Sequence, residues 1–173
     1  MVEQQRYEPV DALPGGVEIR SYPEHQVISV DVRAGMSEAG NVGFGPLVSY
    51  ISGYNVSGQK IAMTAPVIQA PESSEQHRIS FVLPSQSGVT WPEPADPRVR
   101  LESKAQSLVA ALGFRGYWRE THVMEQEQKL LAALEGSGYL PVGEPYFARY
   151  NPPSVPGIFR RNEVLVAVSR HDV

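Results

Sequence analysis

Lys60, Met63 and Thr64 fall within one short run, KIAMTAPVI (60–68), and Arg160 and Arg161 within another, YNPPSVPGIFRRNEV (150–164). The first run sets an amine, a thioether and a hydroxyl around a proline in otherwise apolar sequence, a mixture that an ordinary strand does not need. Its plain reading is a strand entering the core with Pro66 at an edge or bulge. Its chemical reading is the wall of a site. The second run is a proline-set loop that feeds a strand. Its paired guanidiniums are either solvated or placed on the rim of a pocket to receive a carboxylate.

Other chemistry is sparse. His25 lies in an expected turn, His77 at a strand edge, His122 on a helix and His171 in the tail, without the spacing of a zinc site. With no cysteine, the chain has no disulfide, thiolate metal site or cysteine nucleophile. No GxSxG elbow, P-loop or GxGxxG is present, and Glu125 and Glu127, two apart on a helix, point different ways. Nothing here supports an enzyme. The net charge of -4, without a basic stripe, argues against a nucleic-acid partner. The opening MVEQQRYEPV is polar with both charge signs, unlike a signal peptide, and no apolar run is long enough to span a bilayer. The expectation is a soluble, cytoplasmic protein with no membrane partner.

Several elements must carry these residues. Val17 and Ile19, then Ile28, Val30 and Val32, alternate with polar neighbours on either side of SYPEH, which reads as a hairpin over 17–33. Leu47, Val48 and Ile51 have helical spacing, with Pro46 at a first helical position and Gly53 as a stop, predicting a short helix over about 46–52 or one that starts earlier. The glycines upstream weaken a longer one. Strands follow at 62–70 and 77–84, a breaker-rich loop leads to Val99 and Leu101, and 106–113 is expected to pair with that strand. Val123, Leu130, Leu131 and Leu134 make the apolar stripe of a long helix over 117–135. Strands near 145–150 and over 162–169 complete the chain. The order hairpin, helix, two strands occurs twice, so the expectation is an α+β domain over 1–173, with pseudo-repeats at about 15–90 and 97–170. Its simplest closure is a mostly antiparallel, barrel-like sheet with one helix per half.

KIAMTAPV and YNPPSVPGIFRRNEV together resemble the signature segments of the SOUL family of haem-binding proteins. VEIRSYPEHQVISVDV, SYISGYN, ISFVLPS, PEPADPRVRLE and GFRGYW extend the resemblance over roughly residues 7–168. The resemblance implies a distorted β-barrel of two similar halves and a haem or other tetrapyrrole bound, without catalysis, on an apolar patch beside the first helix. Transferred to this chain, that patch takes Phe44, Leu47, Val48 and Ile51 with Met63 beside them, and propionates fall to Lys60, Arg160 or Arg161. For an axial ligand the first hairpin offers Ser21 at the matching position and His25 beyond it, so His25 is the candidate. Residues 34–53 contain no Lys or Arg, whereas animal members carry basic residues there.

Two other functions compete. The SOUL barrel also resembles the ligand-binding module of the gyrase-inhibitor and multidrug-regulator type, so a small-molecule sensor is the alternative; Glu102 or Glu163, if buried, would favour it. An enzyme acting on a tetrapyrrole would need His25 or His122 within reach of the ring.

Overall fold

The computed structural model describes residues 2–86, 88–152 and 154–171. In chain order the first elements are β1 (Glu3–Gln4), β2 (Glu8–Leu13), β3 (Val17–Tyr22), β4 (His25–Arg33) and α1 (Ala39–Ile51). Next come β5 (Thr64–Ala65), β6 (Val67–Ser73), β7 (Gln76–Val82), β8 (Val99–Lys104) and β9 (Ser107–Arg115). The chain closes with α2 (Glu120–Leu134), β10 (Tyr139–Pro141), β11 (Tyr146–Arg149), a 3-10 turn at Gly157–Phe159 and β12 (Arg161–Arg170). The arrangement is α+β, mostly antiparallel sheet with two helices.

The chain forms two compact units that do not follow the sequence halves: one holds residues up to 5 and 24–105, the other 6–23 and 106–173. In the first unit the strand order is β6-β7-β4-β8, antiparallel throughout. A short parallel pair, β1 with β5, sits apart from it. In the second unit the order is β2-β3-β9-β12-β11, again antiparallel, and β10 takes a separate stretch of β12. Neither unit's own strand order closes on itself, so the barrel expectation is not met within either unit.

The expected hairpin over 17–33 is corrected. Val17–Tyr22 pairs with β9, in register from Val17 opposite Leu112 to Tyr22 opposite Ser107, while His25–Arg33 pairs with β7 and β8. Two residues, Pro23 and Glu24, join the strands. A two-residue hairpin needs positive φ at its turn, normally from Gly or Asn, and no non-glycine residue here has one. The same reasoning covers Ala105 and Gln106, between β8 and β9, where the expected pairing is likewise replaced.

Helix α1 starts at Ala39 rather than near 46 and runs through three glycines and Pro46. Low propensity is overridden by packing. Ala39, Gly43, Leu47 and Tyr50 line its buried face, and a Cβ on Gly43 would lie 2.6 Å from Ile79 Cγ1 and 3.2 Å from Val30 Cγ1. Only glycine lets the helix sit this close to β4 and β7. Beneath it Ile28, Val30, Ile79, Phe81, Leu83, Trp91 and Val99 form the core of the unit. Helix α2 buries Val123, Leu130 and Leu134 of its predicted stripe against β9 and β12, together with Gln126, while Leu131 is only half-buried.

Candidate functional site

Helix α1 contains no charged residue over its whole length, AGNVGFGPLVSYI. A helix with one buried stripe ordinarily turns a polar face outward. This one instead exposes Val42 (52%) and Phe44 (42%). Val48, Ile51 and Met63 are half-buried and packed on the same core. Phe44 reaches Phe81 edge-on, with ring centroids 5.5 Å apart. Leu47 is fully buried, so it supports the patch from below and offers no surface of its own. Val42 lies outside the expected residues. Ala39, Gly43 and Leu47 are spaced i, i+4, i+8 on the buried face, but a glycine does not register in a hydropathy pattern, so the first half of the helix carries no apolar signal.

The KIAMTAPVI run is part of this same unit. The Ile61 N–H donates to the Ile51 carbonyl at 2.8 Å, which ties the run to the end of α1 and sets exposed Lys60 beside that end. Thr64 and Ala65 are buried and pair in parallel with Glu3 and Gln4, and the Thr64 hydroxyl donates to the Val82 carbonyl. Pro66 follows a cis peptide bond and separates β5 from β6. The odd composition thus divides by role. Thr64 and Ala65 are structure, Met63 adjoins the patch, and Lys60 is an exposed cation next to Ile61, which is bonded to the end of α1.

His25 is half-buried, and its Nε2 lies 3.2 Å from the Gln5 side-chain amide. That nitrogen is therefore already engaged. His77 is buried rather than at a solvated edge, with Nδ1 2.8 Å from the Ala34 carbonyl. In the second unit His122 meets Phe114 edge-on at 5.2 Å. Among the described residues no cluster of three or more His, Cys, Asp or Glu could hold a metal ion.

The RRNEV segment belongs to the second unit, where its polar side chains are engaged inside the protein. Glu163 is 1% exposed. Its oxygens accept from Arg20 Nη1 at 2.9 Å and Nη2 at 2.5 Å, and from the Tyr150 hydroxyl at 2.7 Å. Burial pushes its carboxyl up, but the Arg20 fork and the Tyr150 hydroxyl outweigh burial and hold it below the usual range. Arg20 also donates to Tyr22 and Glu18 and lies over the Tyr7 ring at 4.2 Å. Arg161 stacks on Tyr150 at 4.1 Å and reaches Glu163 at 3.6 Å. Arg160 Nε donates to the Val155 carbonyl at 2.8 Å. Asn151 Oδ1 accepts from the Arg161 N–H at 2.6 Å, and Asn162 Nδ2 donates to the Gly116 carbonyl at 3.1 Å. Glu102, the other acid singled out in the sequence, is half-buried in the first unit, within 3.4 Å of Lys104 Nζ.

The first unit therefore brings together Phe44, Val48, Ile51, Met63 and Lys60, with Leu47 underneath. Arg160 and Arg161 lie in the second unit. No helix of the described residues is long and apolar enough to cross a membrane.

A mostly antiparallel α+β protein with an uncharged, outward-facing apolar helix is the class these features define. The profile of the SOUL heme-binding protein family matches residues 2–167, and the chain belongs to that family. It is 34% identical to human heme-binding protein 2 over 166 residues, covering 90% of this chain and 80% of that protein. It is 32% identical to mouse heme-binding protein 1 over 125 residues, covering 68% of this chain and 65% of that protein. Among solved structures, the EcmrR C-terminal domain superposes with a TM-score of 0.69 at 10% identity, covering 95% of this chain and 98% of that one. A hydrolase encoded by lin2189 from Listeria innocua gives 0.67 at 12% identity, covering 98% and 100%. At such identities these two share the fold and nothing more is drawn from them.

Proposed function

We propose that this protein binds haem or a related tetrapyrrole, without catalysing a reaction on it, on the outer face of α1. The observation that carries this reading is the exposure of Phe44 beside half-buried Val48 and Ile51 on a helix without a single charge. Membership of the SOUL family and likeness to two proteins named for heme binding support it.

The residues suit a macrocycle's apolar face better than its metal. Covering ~300 Å² of ring at ~25 cal/mol/Å² contributes roughly 7 kcal/mol, from which association entropy removes several kcal/mol. Phe44, Val48, Ile51 and Met63 would supply that contact, and the adaptable thioether of Met63 suits an irregular edge. Lys60 is the cation offered to a propionate in this unit. Bound haem would supply an electron-rich ring and an iron centre, and these residues hold the ring by contact. His25 holds Nε2 to Gln5, so axial ligation by that nitrogen would first have to displace the amide. The single-domain reading with two pseudo-repeats is part of this proposal. It is supported by the matching orders β6-β7-β4-β8 and β11-β12-β9-β3 in the two units.

A haemin titration in the Soret region, beside a control protein of similar size, tests the proposal. A saturable one-to-one change is expected, weakened about tenfold or more in Phe44→Asp, since a charge replaces buried apolar area. Val42, two residues away, faces another side of the helix, so Val42→Asp should leave the response nearly unchanged, and both positions are exposed enough for the variants to fold. Leu47→Asp is unsuitable because that residue is core. A wild-type response equal to the control's, or to that of Phe44→Asp, would overturn the reading.

The alternative, a small-molecule sensor, has the burial of Glu163 in its favour. Against it, a cationic ligand would have to displace Arg20 from that carboxylate.

A further inference from the structure

Arg149 is the last residue of β11, and its guanidinium lies flat over the Trp118 ring, 3.9 Å from the centroid. Nε and Nη2 are both sealed from solvent and have no hydrogen-bond partner among the described residues, although the residue as a whole keeps some surface. The other arginines of this neighbourhood are served differently. Arg20 and Arg161 reach Glu163, Arg115 donates to the Phe159 carbonyl, and Arg160 donates to the Val155 carbonyl. No described carboxylate forms an ion pair with Arg149. Burial lowers its pKa, and the nearby positive charge of Arg160 lowers it further, to about 10.

The stack on Trp118 uses the face of the guanidinium and leaves its in-plane N–H groups unspent. An enclosed donor edge with nothing to donate to is strongly unfavourable, and a second cation beside it makes matters worse. The Nε–H/Nη2–H fork is the arrangement that matches an oxyanion with two coplanar acceptors. Immediately before Arg160 in the chain, Ile158 and Phe159 are exposed, and Tyr117, whose ring packs on Gly157, is exposed as well. We propose that Arg149, with Arg160 beside it and Trp118 beneath it, is a binding site for the oxyanion of a small organic acid, carboxylate or phosphate, which reaches the covered Nε–H and Nη2–H by displacing the side chains over them and rests its apolar body on these exposed side chains. This site lies wholly in the second unit and does not depend on haem binding by α1.

The test is a titration of the full chain, 15N-labelled at arginine, with benzoate, with inorganic phosphate and with chloride at constant ionic strength, following the Arg149 Nε–H resonance. A saturable shift with benzoate or phosphate but not chloride is expected, and the stronger of the two identifies the oxyanion. Arg149→Lys keeps the charge but loses the fork, so binding should weaken about tenfold or more. Arg149→Met should abolish the anion-dependent rise in Tm without lowering the Tm measured in chloride, because it removes a buried charge that lacks a partner. No shift with either anion, or a large loss of Tm in Arg149→Met with no anion effect in the wild type, would overturn the proposal. In that case the guanidinium is a structural cover for Trp118.

Discussion

Both carboxylate oxygens of Glu163 are filled by Arg20, and one of them also by Tyr150, so the acid in RRNEV spends its charge inside the protein. The sequence places Arg20 and Glu163 far apart, and no motif marks their pairing. Only the β3-β9-β12 order brings them together. A buried pair of this kind is costly to break because the surviving partner keeps its charge without compensation, about 3–5 kcal/mol. Glu163→Gln is therefore expected to destabilise the protein by a large part of that amount at neutral pH. The pH dependence follows in sign. A carboxyl whose folded pKa lies below its unfolded value, about 4.3, contributes stability that is complete above the unfolded value and lost as the pH falls through the folded one. Urea midpoints measured downward from neutral pH should thus fall for the wild type in the acid range and converge on those of Glu163→Gln. Parallel curves for the two proteins would mean that the pair contributes nothing to acid stability.

Helix α1 is held by shape more than by propensity. Its residues are poor helix formers, with three glycines and a proline among them. What fixes it is the close seat of Gly43 on Ile79 and Val30. Two substitutions separate these effects. Gly43→Ala gains about 1 kcal/mol of propensity but forces a methyl group into packed side chains, which costs about 1–3 kcal/mol; a net loss is expected. Gly45→Ala meets nothing within 4 Å beyond its own chain neighbours, but it precedes Pro46, whose ring crowds a Cβ in helical backbone, so little net change is expected. Thermal melts should show a clear fall for Gly43→Ala and little change for Gly45→Ala, and a rise for Gly43→Ala would mean that the helix is not seated as described. The same contrast explains what the sequence disclosed. Helix α2 was legible because Val123, Leu130 and Leu134 repeat at helical spacing, and β7 and β12 because Ile79, Phe81, Val164, Val166 and Val168 alternate. The first half of α1 was hidden because its buried face includes a glycine, which no hydropathy pattern counts as core. The exchange of partners by β3 and β4 was hidden because alternation marks a strand without naming its neighbour. For the site, the motifs located Lys60, Met63 and the loop before β12, but they could not reveal that Leu47 is covered, that Arg161 is tied to Glu163, or that Arg149 lacks an acceptor.

Across the whole molecule the charge balance opposes the proposed ligand. The chain carries a net charge of -4, and haem carries two propionates, so the long-range field repels the approaching ligand. Residues 34–53, which include α1, hold no Lys or Arg to offset it. Lys60 adds one exposed cation, and an exposed ion pair is worth at most about 1 kcal/mol. Binding on α1 must then rest on apolar area, and its salt dependence should be the reverse of that for a charge-anchored site. Raising the ionic strength shortens the Debye length from about 30 Å at 0.01 M to about 8 Å at 0.15 M. The repulsion is screened, and association should quicken while dissociation stays nearly constant. Haemin dimethyl ester, which keeps the ring and loses both charges, should bind at least as tightly as haemin, and Lys60→Gln should change the affinity by no more than about fivefold. Stopped-flow mixing at the two salt concentrations, with both ligands, checks this. If salt slows association and the ester binds worse, propionates anchored by cations hold the ligand, and the apolar face of α1 is not the main source of affinity.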